Sequence, residues 1–321
     1  MKDSYGRQIT YMRFSITDRC DYRCRYCMPK EGIEKKAKQE ILTYEEILKI
    51  VKAGNHLGID KVRLTGGEPL CRKDLPYLIR SIRKECQVKD LSLTTNGSRL
   101  AKLASNLAKS GLDRINVSLD SVNPSTFEEI TRGGKVKEVL RGIERAKEVG
   151  LDPIKLNCVP LRGVNENEID ELISFAIDRS LILRFIGLMP MGEVAHTNLE
   201  GVDRDELLRK IQANWTIETT SPPQGNGPAQ YYLLGNSYGQ TPVGLIYPER
   251  EKFCRSCNKI RITSQGMARP CLAHDDLIPL GDLNSVEAIE DRLSIAIENK
   301  PADHQWGEQT KTEGEMSNIG G

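Results

Sequence analysis

The chain has 321 residues, the length of one large domain or two ordinary ones. Apolar residues make up 38% and charged residues 28%; 46 Lys and Arg against 45 Asp and Glu leave a formal charge of +1. This balance argues against a coat for nucleic acid, and no apolar run nears the ~18 residues of a membrane helix. The opening Met1-Lys2-Asp3-Ser4-Tyr5-Gly6 lacks the apolar centre of a signal peptide. The expected setting is therefore the cytoplasm, with neither membrane nor nucleic acid as partner. Residues 282–321 hold nine acids and three bases, so the first 281 carry a surplus of +7. That surplus favours an anionic ligand.

The elements alternate along the first 190 residues. Tyr11 to Thr17 reads as a strand, and Tyr44 to Leu57 has helical spacing of Ile47, Leu48, Val51 and Leu57. Lys61 to Thr65 is a strand ending in Gly66-Gly67, followed by a helix over Leu75 to Ile82. Strands over Leu91 to Thr95, Ile115 to Leu119, Ile154 to Pro160 and Ile182 to Leu188 interleave with helices over Leu100 to Ala108, Val136 to Val149 and Glu166 to Ile177. Strand and helix in turn imply right-handed βαβ units on a parallel sheet. Six such units fall short of the ~250 residues of a closed eightfold barrel. The expected fold is α/β, a partial six-unit barrel over residues 1–195. Beyond it the alternation fails, Ser221 to Pro228 has loop composition, and a smaller domain is expected over residues 196–321. In either barrel or open sheet, ligands sit at the C-terminal strand ends, here at Gly66, Gly67, Glu68, Asn96, Ser118 and Asp120.

Six of the nine cysteines form two groups. Cys20, Cys24 and Cys27 have the spacing C-x3-C-x2-C just after the first strand. Thiolates suit iron–sulfur clusters or zinc. Three of them leave one iron of a cubane open for chemistry; a zinc knuckle with a distant fourth ligand is the alternative. Cys254, Cys257 and Cys271 form the second group, and His274 close behind permits a Cys₃His zinc site. Cys71, Cys86 and Cys158 belong to neither group and read as small apolar fillers.

The segment Thr17-Asp18-Arg19-Cys20-Asp21-Tyr22-Arg23-Cys24-Arg25-Tyr26-Cys27-Met28-Pro29 resembles the signature loop of radical S-adenosylmethionine enzymes. Gly66-Gly67-Glu68-Pro69 resembles the loop that holds the methionine amino group in that superfamily. The second group, in Phe253-Cys254-Arg255-Ser256-Cys257-Asn258-Lys259-Ile260-Arg261-Ile262-Thr263 with Arg269, Pro270 and Cys271, resembles the C-terminal region of the GTP 3′,8-cyclase family. That likeness runs through Tyr5-Gly6-Arg7, Thr94-Thr95-Asn96-Gly97, Asn116-Val117-Ser118-Leu119-Asp120, Lys155-Leu156-Asn157, Arg184-Phe185-Ile186 and Leu188-Met189-Pro190 to the closing Gly320-Gly321.

The resemblance implies two [4Fe-4S] clusters and S-adenosylmethionine as cofactors, and GTP as substrate. Cys20, Cys24 and Cys27 would hold the first cluster, and Cys254, Cys257 and Cys271 the second. Tyr26, Gly67, Ser118 and Met189 would contact S-adenosylmethionine. Arg13, Lys61, Arg63, Thr94, Lys155, Arg184, Lys259 and Arg261 would bind GTP. Gly320 and Gly321 would enter the active site and assist Arg261. The implied reaction converts GTP to 3′,8-cyclo-7,8-dihydroguanosine triphosphate, the first step of molybdenum cofactor biosynthesis. The implied partners are an unnamed reductant protein and, downstream, cyclic pyranopterin monophosphate synthase; a homodimer is among the expected arrangements. The main rival is a radical enzyme with an auxiliary cluster that acts on a peptide. Three positions depart from the family pattern: Asp21 replaces an asparagine, Lys259 an arginine and Gly187 a glutamate.

Overall fold

The structure, a computed structural model, describes residues 1–34, 36–223, 227–237, 239–248 and 253–304. Its first part runs β1 (Tyr11–Ser15), α1 (Tyr44–His56), β2 (Lys61–Thr65), α2 (Leu75–Glu85), β3 (Asp90–Thr95), α3 (Leu100–Lys109) and β4 (Arg114–Ser118). There follow α4 (Pro124–Thr131), α5 (Val136–Glu148), β5 (Ile154–Cys158), α6 (Ile169–Asp178) and β6 (Ile182–Ile186). These are the six expected βα units. Two of these helices start at a side-chain cap. Thr43 accepts from the Glu46 N–H and Glu46 reaches back to Thr43 at α1, and Asn123 with Pro124 opens α4.

After β6 come α7 (Arg204–Asn214), β7 (Thr216–Thr219), β8 (Gln230–Asn236), β9 (Gly239–Ile246), β10 (Lys259–Ile262), β11 (Met267–Arg269), β12 (Ile278–Pro279) and α8 (Val286–Glu298). Among the described residues one twelve-stranded sheet takes up every named strand, in the order β12-β11-β10-β1-β2-β3-β4-β5-β6-β9-β8-β7. β10 lies parallel to β1, with Arg261 beside Arg13. β9 lies parallel to β6, with Gly244 beside Arg184. The smaller unit expected after residue 195 thus lengthens both edges of the first sheet, and α8 packs on α1.

Three helices go beyond the sequence reading: α4, α7 and α8. Each is short or weakly patterned, and each is capped by a side chain, Asn123, Asp203 and Ser285 respectively. α6 begins at Ile169 rather than Glu166. Asn165 is buried in the preceding loop, where its amide bonds the carbonyls of Asp120 and Val159 and the N–H of Leu161.

The parallel strands alternate strictly. Met12, Phe14, Val62, Leu64, Leu91, Leu93, Ile115, Val117, Leu156, Leu183 and Phe185 are wholly buried in the main core. Their neighbours in sequence turn to the opposite face, which is mostly polar; on β6 Ile182 and Ile186 flank Arg184 there. Parallel strands normally read as near-continuous apolar runs because both faces are covered by apolar layers. Here the inner face lines a cavity.

Candidate active site

A single cavity of about 410 Å³ runs along the inner face of the sheet. At its upper end, the C-terminal ends of the strands, lie Cys20, Cys24 and Cys27 with Tyr26, Gly67, Ser118, Asp120 and Met189. At its lower end lie Cys254 and Cys257, just before β10, and Cys271, just after β11. Between them the walls carry Arg13, Lys61, Arg63, Thr94, Lys155, Arg184, Lys259 and Arg261. Every described residue that the resemblance assigned to a cluster, to S-adenosylmethionine or to GTP lines this one space. Gly320 and Gly321 lie outside the described residues. The basic residues are spread along the strands from their N-terminal ends rather than gathered at the C-terminal ends. The β-strand alternation points positions 13, 61, 63, 155, 184, 259 and 261 inward.

The cysteine loop is held by main-chain bonds. Arg23 and Arg25 donate their N–H groups to the carbonyls of Thr131 and Ile130 at the end of α4, at 3.1 and 2.9 Å. The Gly66-Gly67 loop passes directly beneath it. A Cβ on Gly67 would stand 2.4 Å from the Arg19 carbonyl oxygen, and one on Gly66 would stand 2.4 Å from that of Thr17. Only glycine permits that approach. Tyr26 donates to Asp120 Oδ2 at 2.6 Å, and Asp120 Oδ1 accepts from the Val159 N–H at 2.8 Å. Burial raises the Asp120 carboxyl to about 6 and Glu68 to about 7.

Burial also pushes the thiols of Cys20 and Cys27 up, to about 12 and about 11, and Cys24 well above its ordinary value. Such thiols ionise only against a cation placed on them, and a bound metal reverses the balance. Among the described residues, the trio of ligand atoms all within 4.8 Å of one another is Cys254, Asp303 and His304. Neither cysteine group is so tight. A tetrahedral zinc ion needs sulfurs ~3.8 Å apart, given Zn–S bonds near 2.3 Å, whereas a cubane spreads its ligands wider. Three soft thiolates are a donor set that an iron–sulfur cluster accepts. The His274 of the zinc alternative does not line the cavity; its Nε2 lies 3.2 Å from the Asp303 carbonyl oxygen.

The middle of the cavity is a belt of cations. Among the described residues nine Lys and Arg side chains line it, against two carboxylates. Asp90 takes a forked pair from Arg114, at 3.0 and 2.6 Å, and Asp120 is engaged by Tyr26. Neutral groups orient two of the arginines, Arg184 and Arg63. Arg184 donates twice to Asn157 Oδ1, at 3.0 and 2.6 Å. Arg63 donates to Ser92 and lies over the Tyr11 ring, 5.8 Å from its centroid. With its amide oxygen turned inward, Asn116 accepts from Arg63 and from Arg184. The crowding has an electrostatic cost. Burial first, then the neighbouring arginines, lowers Lys155 to about 7. Burial and Arg13 likewise lower Arg261 to about 9, and Arg63 falls to about 9 mainly by burial. A buried polyanion is the natural counterion of such a belt.

At the lower end, burial opposes ionisation of Cys257, yet the ammonium groups of Lys300 and Lys259 together hold its thiol below the ordinary value. Burial pushes Cys254 up to about 12. Sequence reasoning missed Asp90, Arg114, Asn157 and Lys300. Asn157 occupies an inward position of a recognised strand, and Asp90 and Arg114 stand one residue before the expected strand starts, on the same alternation. Lys300 follows α8, and no local pattern marks it.

Residues 14–176 match the model of the radical SAM superfamily, and residues 181–306 match that of Molybdenum Cofactor Synthesis C. A GTP 3′,8-cyclase of Alkaliphilus oremlandii is 44% identical over 326 residues, covering all of both chains. The chain belongs to the GTP 3′,8-cyclase family. A second member, from Peptoclostridium acidaminophilum, is 42% identical and covers 99% of this chain and 98% of its own. Among solved structures, Streptococcus suis SuiB bound to S-adenosylmethionine superposes with a TM-score of 0.61 at 16% identity. That match covers 86% of this chain, which spans 65% of SuiB. SuiB bound to its precursor peptide SuiA gives 0.65 at the same identity. At that identity the likeness speaks for the partial-barrel fold alone. The family implies a [4Fe-4S] cluster and S-adenosylmethionine. No helix among the described residues is long and apolar enough to cross a membrane.

The departure at Gly187 has a physical reason. A Cβ there would stand 2.7 Å from Cδ1 of Tyr247, whose buried ring fills the space a longer side chain would need.

Proposed function

We infer that the protein is a GTP 3′,8-cyclase acting in molybdenum cofactor biosynthesis, with two [4Fe-4S] clusters. One observation carries the reading: a single cavity joins two cysteine trios, at its opposite ends, through a belt of buried cations. In this reading residues 1–195 form the radical unit and residues 196–321 supply the second cluster and the tail.

Cys20, Cys24 and Cys27 hold the first cluster, and Tyr26, Gly67, Ser118 and Met189 hold S-adenosylmethionine. Bound there, these cofactors would supply the radical chemistry that takes the hydrogen from C3′ of GTP. Arg63, Lys155 and Arg184 take the triphosphate, with Arg13, Lys61 and Thr94 beside them. Guanidinium forks and a lysine already crowded by like charge gain most from an arriving polyanion. Lys259, Arg261 and the second trio of Cys254, Cys257 and Cys271 face the purine. Gly320-Gly321 assist Arg261. The apolar outer face of the strands and the covering helices keep bulk water away from the reacting carbon. The product is an isomer of GTP in which C3′ is joined to C8. It passes to a cyclic pyranopterin monophosphate synthase in the cytoplasm, and a separate protein supplies the electrons.

The test is one anaerobic turnover of reconstituted protein with GTP, S-adenosylmethionine and a reductant, read by mass spectrometry. A GTP isomer formed in step with 5′-deoxyadenosine is the expected result. Deoxyadenosine without the isomer would overturn the choice of substrate. Replacing Cys271 by alanine should remove about four irons per chain and leave deoxyadenosine formation in place; unchanged iron would remove the second cluster from the account.

A further inference from the structure

We propose that Asn96 is a positioning residue for the first cysteine trio, its side-chain amide donating to the sulfur of Cys20 while Asp21 holds the amide in that orientation. The inference rests on the family-derived reading that Cys20 is a cluster ligand.

Asn96 follows β3 and lines the upper end of the cavity. Its backbone N–H donates to Glu68 Oε2 at 2.6 Å. Its Nδ2 donates to Asp21 Oδ1 at 2.8 Å and lies 3.8 Å from Cys20 Sγ. Its Oδ1 accepts the Ser98 N–H at 2.9 Å. Both ends of the amide are therefore determined. A main-chain donor occupies the oxygen, and a carboxylate, which only accepts when ionised, occupies one hydrogen of the nitrogen. The remaining hydrogen is left for the sulfur. Asp21 is itself fixed by the Ser98 hydroxyl at 2.8 Å and by Arg99 Nε at 3.4 Å. An asparagine at position 21 could present its own NH₂ group to Asn96 and allow the amide to turn. The carboxylate forbids it, so this departure from the family pattern sets the polarity of the network.

The consequence is electronic as well as geometric. A donor on a thiolate ligand favours the reduced, more negative cluster and raises its potential. Through Glu68 the same residue ties that ligand to the Gly66-Gly67 loop, where the amino group of S-adenosylmethionine is expected.

The experiment uses the full chain with both cysteine trios, reconstituted without oxygen. The reduced-cluster signal that changes when S-adenosylmethionine is added is followed by electron paramagnetic resonance during a redox titration. Asn96→Ser is the main variant, because its hydroxyl can still accept the Ser98 N–H and keep the turn. Asn96→Ala is the second variant, and it decides the matter if the serine protein holds no iron. At fixed potential the ratio of reduced to oxidised first cluster should fall about tenfold, or about 59 mV for one electron. A purely structural role would lower iron content or thermal stability and leave the potential where it was. Iron-replete variants that titrate with the wild type overturn the proposal. A wild type whose signal ignores S-adenosylmethionine overturns the reading beneath it.

Discussion

Raising the pH from about 7.5 to about 8.5 should weaken GTP binding about eightfold, through Lys155. This side chain is buried on β5, and burial together with Arg184, Arg114 and Arg63 holds its ammonium down to about 7. In the empty site roughly a quarter of Lys155 is protonated at pH ~7.5 and roughly a thirtieth at pH ~8.5, whereas a triphosphate beside it restores the ordinary value near 10.4. The ratio of the two fractions is the eightfold loss, or about 1.2 kcal/mol. Each binding event should take up nearly one proton in this window. Anaerobic titration calorimetry in two buffers of different protonation enthalpy measures both quantities. Lys155→Met should flatten the profile. A dissociation constant independent of pH, with no proton uptake, would refute the argument. The same shift has a stability counterpart. The folded value lies below the unfolded one, so the unfolded chain binds more protons between pH ~7 and ~10.4. Stability of the GTP-free protein should therefore rise with pH through that window, and the rise should vanish with GTP bound.

Other positions test the remaining geometry. Asp90→Asn breaks the fork with Arg114 and removes one of two carboxylates from the cavity; it should cost the GTP-free protein ~1–3 kcal/mol in thermal unfolding and tighten GTP binding. Loss of both stability and affinity would argue against the belt as a polyanion site. Gly187→Ala should cost ~1–3 kcal/mol by pressing on Tyr247, and Tyr247→Ala in the same chain should recover part of it; strict additivity would show that the two do not touch. Gly67→Ala drives a methyl into the Arg19 carbonyl oxygen and should displace the cysteine loop. Binding of S-adenosylmethionine should fall at least tenfold in equilibrium dialysis while GTP binding changes little, and equal losses would deny the separate upper site.

Much of the site could be read from residues close in sequence. The cysteine spacings, the Gly66-Gly67 pair and the basic strand positions are local patterns, and each rests on which atoms a few neighbouring residues can offer. The alternation in Lys61-Val62-Arg63-Leu64-Thr65 or Lys259-Ile260-Arg261-Ile262 also announces a strand with one polar face. Asn157 continues that alternation on the fifth strand, and Arg114 extends it one residue before the expected start of the fourth. The three helices beyond the expected pattern owe their ends to single capping side chains, a weaker signal than periodicity.

The sequence by itself determined the six βα units, the two thiolate trios and the family, because these depend on local spacing and on residue chemistry. Only the tertiary structure decided that β10 and β9 join opposite edges of the same sheet, more than 200 residues from β1 in the case of β10. That pairing brings Cys257 to the foot of the strand that leads to Cys20, and it turns scattered lysines and arginines into one belt. Such contacts are set by burying the apolar outer faces of all the strands together, a property of the whole chain that no single segment contains.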